Sequence, residues 1–253
     1  MIITALVLTL AAAGSSPAQI NPEQSKGAIY SDPSRKMGYY GQIHIVKVRG
    51  NRLDEPTTVD RALINLKEAM HRWTDIQVTI DRQLNLDSPK IHQYPFLYIA
   101  FDGNFELTGE EEKNLGAYME NGGFVVFENT GQRIELSPEG AAFGNALRNI
   151  LGSRGRFSPI DNNHPLYHSA FDFDDGPPLG DELRMSEGYR NPEITFLEGL
   201  TFNNRLLAVF SFKRYVNRWH QISGNIPQLK IGVNMIMYAL INADGRVLRL
   251  EPE

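Results

Sequence analysis

Residues 94–131, YPFLYIAFDGNFELTGEEEKNLGAYMENGGFVVFENTG, constrain the fold more than any other stretch of this chain. An apolar run at 96–100 is followed by a polar loop, and Thr108 then opens a helix with the pattern T-x-x-E. Glu111 stands three residues on from Thr108, so side chain and backbone at the helix start can satisfy each other reciprocally. Glu110, Glu111 and Glu112 also complement the positive helix N-terminus, which favours a capping role over a metal site. Gly122-Gly123 ends the helix, because a glycine takes the left-handed conformation without a Cβ penalty. Phe124 to Phe127 is continuously apolar, as a parallel strand buried on both faces should be. Two buried parallel strands that each run into a polar loop make a ligand-binding edge, because open α/β sheets place their ligands outside the carboxyl ends of the strands.

The rest of the chain extends this unit. Residues 42–49, QIHIVKVR, alternate apolar and polar side chains and read as a strand with one covered face. Thr57 or Thr58 can cap the following helix, in which Val59, Leu63, Leu66, Ala69 and Met70 recur at helical spacing. Residues 75–80 form another strand, and Asp87, Ser88 and Pro89 mark a turn before the strand at 96–100. Pro138 starts a helix that runs to Ile150. Over 152–191 Gly, Pro, Asp, Asn and His dominate and periodicity fades, which predicts an irregular insertion over the sheet. Residues 194–202 and 205–212 form a hairpin around Asn203-Asn204, and residues 227–242 a helix striped by Leu229, Val233, Ile236, Met237 and Leu240. Strands alternating with helices imply parallel pairing through crossovers, hence a three-layer α/β/α sandwich with a mostly parallel sheet.

The first residues, MIITALVLTLAAAGSSPAQ, carry an apolar core at 2–13 that is too short to span a bilayer. Ser16 and Ala18 supply the small residues of a cleavage site, so residues 1–18 read as a secretory signal, although no Lys or Arg follows Met1. The alternative is a buried N-terminal helix or strand. Residues 19–40, polar with scattered Gly and Pro, read as a tether ahead of a domain at 41–246. The expected location is therefore the periplasm or cell envelope, with no membrane span once the signal is cleaved. A formal net charge of −5 and the lack of any Lys/Arg run argue against nucleic acid as a partner. The chain contains no cysteine, which excludes disulfides, thiol catalysis, iron–sulfur clusters and thiolate zinc sites. GxSxG, GxxxxGK[ST] and GxGxxG are absent too, leaving serine-hydrolase, nucleotide-triphosphatase and dinucleotide readings without support.

Candidate site residues cluster at the strand ends and in the irregular region. Asp102, Asn104, Glu128 and Asn129 lie just beyond the two apolar runs, where carboxylates and amides could bind a polar ligand such as a sugar. The competing reading makes Asp102 and Asn129 the centres of Asx-turns and Glu128 the cap of a neighbouring helix. His164 and His168 flank Pro165-Leu166-Tyr167, with Asp161 upstream and Asp172, Asp174 and Asp175 downstream. Two histidines and a carboxylate suit a metal, but Pro165 breaks the helical i, i+4 geometry, and the aspartates lack the spacing and terminal Glu of an EF-hand. The favoured reading places the loop's His and Tyr side chains against the sheet, rimming the cleft, with no metal and no cofactor. Arg154 with Arg156, or Arg214 with Arg218, could clamp an anion, against plain solvation. Trp219 could stack on a sugar face or plug the sheet edge.

The run DSPKIHQYPFLYIAFDGNFELTGEEEKNLGAYMENGGFVVFENTG, the later NNHPLYHSAFDF and the terminal GVNMIMYAL resemble a bacterial family known as domain of unknown function 4159, a branch of the class I glutamine amidotransferase-like superfamily. The resemblance spans residues 42–242. It implies a flavodoxin-like, amidotransferase-like fold and an exported or membrane-tethered envelope protein. Members of that family often carry His where this chain has Asp102, and acidic residues where it has Glu128-Asn129. In amidotransferases proper a Cys follows the strand that here ends at Phe127, and a His and a Glu complete the triad. Glu128-Asn129-Thr130 occupy that elbow, so glutamine hydrolysis is not expected. The resulting expectation is a non-catalytic domain that binds an envelope protein partner or a small polar ligand. The alternative is a metal- or carboxylate-dependent hydrolase of carbohydrate or cell-wall material.

Overall fold

The computed structural model describes residues 26–35, 37–102, 105–131, 138–152, 157–181, 195–242 and 248–250. The expected signal segment at 1–18 lies outside them. The parallel body of the sheet is β2 (Tyr39–Arg49), β3 (Asp75–Asn85), β4 (Phe96–Phe101), β5 (Phe124–Asn129) and β8 (Arg205–Ser211), in the spatial order β3-β2-β4-β5-β8. Antiparallel strands β7 (Glu198–Phe202) and β6 (Phe157–Pro159) extend it beyond β8. β1 (Gly27–Ser31) pairs antiparallel with the first half of β2 and parallel with β9 (Leu248–Leu250), completing, among the described residues, nine strands in an α/β sheet of mixed direction. β1 falls in the segment expected to be a tether. Ile29 is its one fully buried side chain and Tyr30 stacks on Tyr40, so too little apolar pattern marks the strand in sequence.

The apolar runs of β4 and β5 are buried throughout because both faces of the sheet are covered. Phe96, Tyr98, Ala100, Phe124 and Val126 join a core with helices α1 (Val59–Trp73), α4 (Tyr215–Trp219) and α5 (Ile226–Asn242). Leu97, Ile99, Phe101, Val125 and Phe127 join the opposite core, under α2 (Gly109–Glu120) and α3 (Pro138–Leu151). Each such large apolar side chain contributes about 1.5–3 kcal/mol on removal from water.

Local signals hold where the chemistry is local. Thr108 accepts from the Glu111 N–H and the Glu111 carboxylate accepts from the Thr108 N–H, so the capping box forms. The second Glu111 oxygen takes the Asn51 N–H at 2.7 Å, tying α2 to the loop after β2. Asn203 and Asn204 both take positive φ, 50° and 59°, in the hairpin between β7 and β8. Thr58 precedes α1 without capping it: its backbone is already in the right-handed helical region (φ −80°, ψ −14°), whereas a capping residue is extended. Among its described residues the irregular region contributes β6 and the 3-10 turn Pro165–His168, which packs against α5.

Gly41, with φ 142°, lets β1 approach β2: a Cβ there would stand 2.2 Å from the Ala28 carbonyl oxygen. Gly41→Ala should therefore cost about 1–3 kcal/mol and speed amide exchange selectively at residues 27–31. Hydrogen exchange with a urea midpoint checks this, and unchanged protection of 27–31 would show that β1 tolerates a looser register.

Candidate functional site

β5 runs two residues further than its apolar core, so Glu128 and Asn129 are strand residues and not loop residues. Glu128 pairs in register with Ala100 on one side and Ser211 on the other, and its side chain is 1% exposed. A buried carboxylate is costly unless its lone pairs are used. Here one oxygen accepts from the Ser211 hydroxyl at 3.0 Å and the Tyr215 N–H at 2.7 Å. The other accepts from the Tyr98 hydroxyl and from the Val216 N–H at 2.8 Å. The two N–H groups open α4, so the carboxylate fastens the start of that helix onto the end of β5. The reading in which Glu128 caps a neighbouring helix matches this geometry.

Burial pushes the Glu128 carboxyl above its ordinary range, outweighing the donors, of which Tyr98 is the strongest opposing influence. The Tyr98 hydroxyl is itself driven well up, by burial and then by the neighbouring carboxylate, and stays a donor. Tyr215 and Trp219 roof the cluster, with ring centroids 6.0 Å apart, and Trp219 lies 5.3 Å from Tyr98. The Trp219 indole donates to the Gln228 carbonyl at 2.6 Å and its side chain is fully buried, so it belongs to the core and presents no face to a sugar.

The other candidates divide between the two ends of the sheet. Asp102 is exposed just past β4, where its N–H donates to the Asp54 carbonyl at 2.8 Å. Asn129 closes an Asx-turn, accepting from the Gly131 N–H at 2.8 Å, and Thr130 bonds back to the Phe101 carbonyl through both N–H and hydroxyl. Asn104 lies outside the described residues. Asp102, Glu128 and Asn129 thus share the strand C-terminal edge.

His164 and His168 do not join them. The His164 ring lies 5.5 Å from Tyr238 of α5, and Tyr238 packs 5.3 Å from Phe124, the first residue of β5. From Phe124 to Glu128 is about 13 Å along a strand. From Gln228, beside Trp219, to Tyr238 is about 15 Å along α5. Both rulers put His164 toward the opposite end of the sheet from Glu128. His164 Nδ1 accepts from the Leu166 N–H at 3.1 Å, capping the 3-10 turn, and burial holds its pKa below the ordinary value. His168 bonds Asp172 at 3.0 Å and the Asn162 carbonyl at 2.9 Å, and the Asp172 carboxylate raises its pKa. These are clasps within one loop, so the histidines do not rim the strand-edge cleft. Among the described residues no three His, Asp or Glu side chains are grouped to hold a metal.

Of the arginines, Arg154 and Arg156 lie outside the described residues. Arg218 is engaged, by the Gly180 carbonyl at 2.9 Å and Asp181 at 3.7 Å. That removes it from the expected pairing with Arg214. The 178–181 strap also receives the Tyr215 hydroxyl and the Gln228 amide, so it is sewn onto α4 and α5. Sequence reading missed Tyr98 and Ser211, the side-chain donors to Glu128. Tyr98 is the one hydroxyl of the apolar β4 and Ser211 the one hydroxyl of β8, which was the available signal.

Since Glu128 holds its proton more tightly folded than unfolded, its contribution to stability is complete below the unfolded pKa of about 4.3 and is lost as pH rises through the raised folded value. Urea midpoints measured across pH should show that decline, and Glu128→Gln should abolish it. Where the wild-type carboxylate is ionised, the variant should be about 1–3 kcal/mol less stable, because its amide nitrogen turns a donor toward a donor. A pH slope unchanged by Glu128→Gln would assign the titration elsewhere.

Residues 44–240 match the model of a family described as domain of unknown function (DUF4159). No curated protein matches the chain.

Proposed function

This chain belongs to the DUF4159 family, and for a member of it we propose an exported, envelope-located binding domain that carries out no glutamine hydrolysis. The scaffold is read as a flavodoxin-like, class I glutamine amidotransferase-like three-layer sandwich. Its strand C-terminal edge engages an envelope protein partner or a small polar ligand.

One observation carries the non-catalytic reading: Glu128, at the elbow where the resemblance places a nucleophile, is buried and has both oxygens occupied by four donors. A general base needs a lone pair within reach of the proton it removes, and Glu128 offers none to solvent. The hydrolase alternative would have to work without it, and with His164 at the far end of the sheet. Support for export comes from the apolar segment at 2–13 followed by Ser16 and Ala18. The exposed Asp102 and the strand ends beside it supply the polar surface of the binding edge.

Two measurements test this. Expressed with a C-terminal tag, the protein should fractionate with the envelope or periplasm and begin at Gln19, and cytosolic protein retaining Met1 would overturn export. Purified protein offered polysaccharide and cell-wall substrates should give no turnover above background. Turnover that Glu128→Gln removes while the folded fraction stays unchanged would overturn the non-catalytic reading.

A further inference from the structure

Arg214 combines, at the strand edge, an unusual backbone conformation with a side chain that no described residue engages. It follows β8 and precedes α4, with φ 54° and ψ 42°, the left-handed region that disfavours any side chain but Gly, Asn or Asp. Of the residues described, only Asn203 and Asn204 share that feature without being glycine, and they are the type that a tight hairpin selects. The cause of the Arg214 conformation is visible next door. Glu128 draws in the N–H groups of Tyr215 and Val216, and the chain must turn sharply at residue 214 to present both. Glycine would make this turn without strain.

Among the described residues that side chain is without a partner. Arg214 Nε is buried with no hydrogen-bond acceptor, and no carboxylate or aromatic ring engages the guanidinium among the described residues. Arg214 as a whole is only partly buried, and its terminal nitrogens are not among the buried, unpaired atoms. The neighbouring cation Arg218, by contrast, is held by Asp181 and the Gly180 carbonyl. A planar fork of donors, half-buried, strained and lacking a counter-ion, stands at the end of the sheet where open α/β folds receive ligands.

We propose that Arg214 is the anion-recognising residue of this edge, its terminal guanidinium nitrogens receiving a carboxylate or phosphate oxyanion of the ligand end-on. The assignment rests on the reading of this edge as the binding surface and names the chemistry that it selects. Glu128 acts on the ligand only indirectly, as the positioning residue that holds the turn.

The full-length protein is titrated with inorganic phosphate and, separately, with acetate, against chloride at matched ionic strength, reading thermal midpoint and calorimetric binding. At least one of the two oxyanions should raise the wild-type midpoint. Arg214→Gly, relieved of strain, should fold with an equal or higher midpoint and bind that anion more than about tenfold more weakly, the expected loss for a charge-assisted bidentate pair. Arg214→Asn, which also tolerates the left-handed region, repeats the test in a second fold-compatible background, and Arg214→Lys should recover only part of the affinity. An anion response in Arg214→Gly equal to wild type, or none from either anion in wild type, overturns the proposal. Detection of turnover, with the anion response still dependent on Arg214, would sink the non-catalytic reading while leaving this assignment standing.

Discussion

The Glu128 carboxylate is the interaction on which the C-terminal edge of the sheet depends. Taking an ionised carboxylate out of water costs several kcal/mol even after relaxation, and a site that fails to occupy its lone pairs cannot keep it. Tyr98, Ser211 and the first two N–H groups of α4 occupy them all. The same contacts satisfy backbone donors that would otherwise be orphaned at a buried helix start. α4 is only five residues long and has little helical stability of its own. Its placement follows from this anchor, and from that placement follow the Tyr215–Trp219 roof, the indole bond to Gln228 and the seat of the 178–181 strap.

The two ends of the sheet have different tasks. At the N-terminal end, His164, Tyr238 and Phe124 form an aromatic contact that fastens the irregular loop to α5, and Asn234 adds a pair of bonds to the backbone of Phe171. At the C-terminal end, the exposed Asp102 and the strained Arg214 sit on a scaffold that is rigid because Glu128, Asn129 and Thr130 are consumed by internal bonds. Polar residues at a strand edge therefore fall into two kinds, those spent on building the edge and those left facing out. Only the second kind can meet a ligand.

Legibility in the sequence follows the range of the interactions involved. The capping box at Thr108, the terminating glycines after α2, the Asn203-Asn204 hairpin and the fully apolar β4 and β5 were all readable, because their causes lie within a few residues. The ends of strands were not. Whether Glu128 continued β5 or began a loop depended on donors from Ser211, Tyr215 and Val216, more than eighty positions away. β1 was hidden for the same reason, its five residues pairing with the distant strands β2 and β9. Grouping His164 and His168 with Asp102 failed because sequence proximity to a polar loop says nothing about which end of a sheet that loop covers.

A buried clasp and a catalytic carboxylate make opposite demands on one side chain. A base must keep a lone pair free and poised for the reacting proton, whereas a clasp is worth most when every lone pair is taken. With Glu128 committed to the clasp, the strand-to-helix elbow that strains a side chain outward lies one strand over, after β8, and the residue it presents is Arg214. An elbow that presents a guanidinium cannot supply a nucleophile, since arginine keeps its charge and has no lone pair to give. What it can do is hold an oxyanion. The strained backbone and the outward-reaching side chain therefore stand after β8, and β5 ends in a carboxylate consumed by internal bonds.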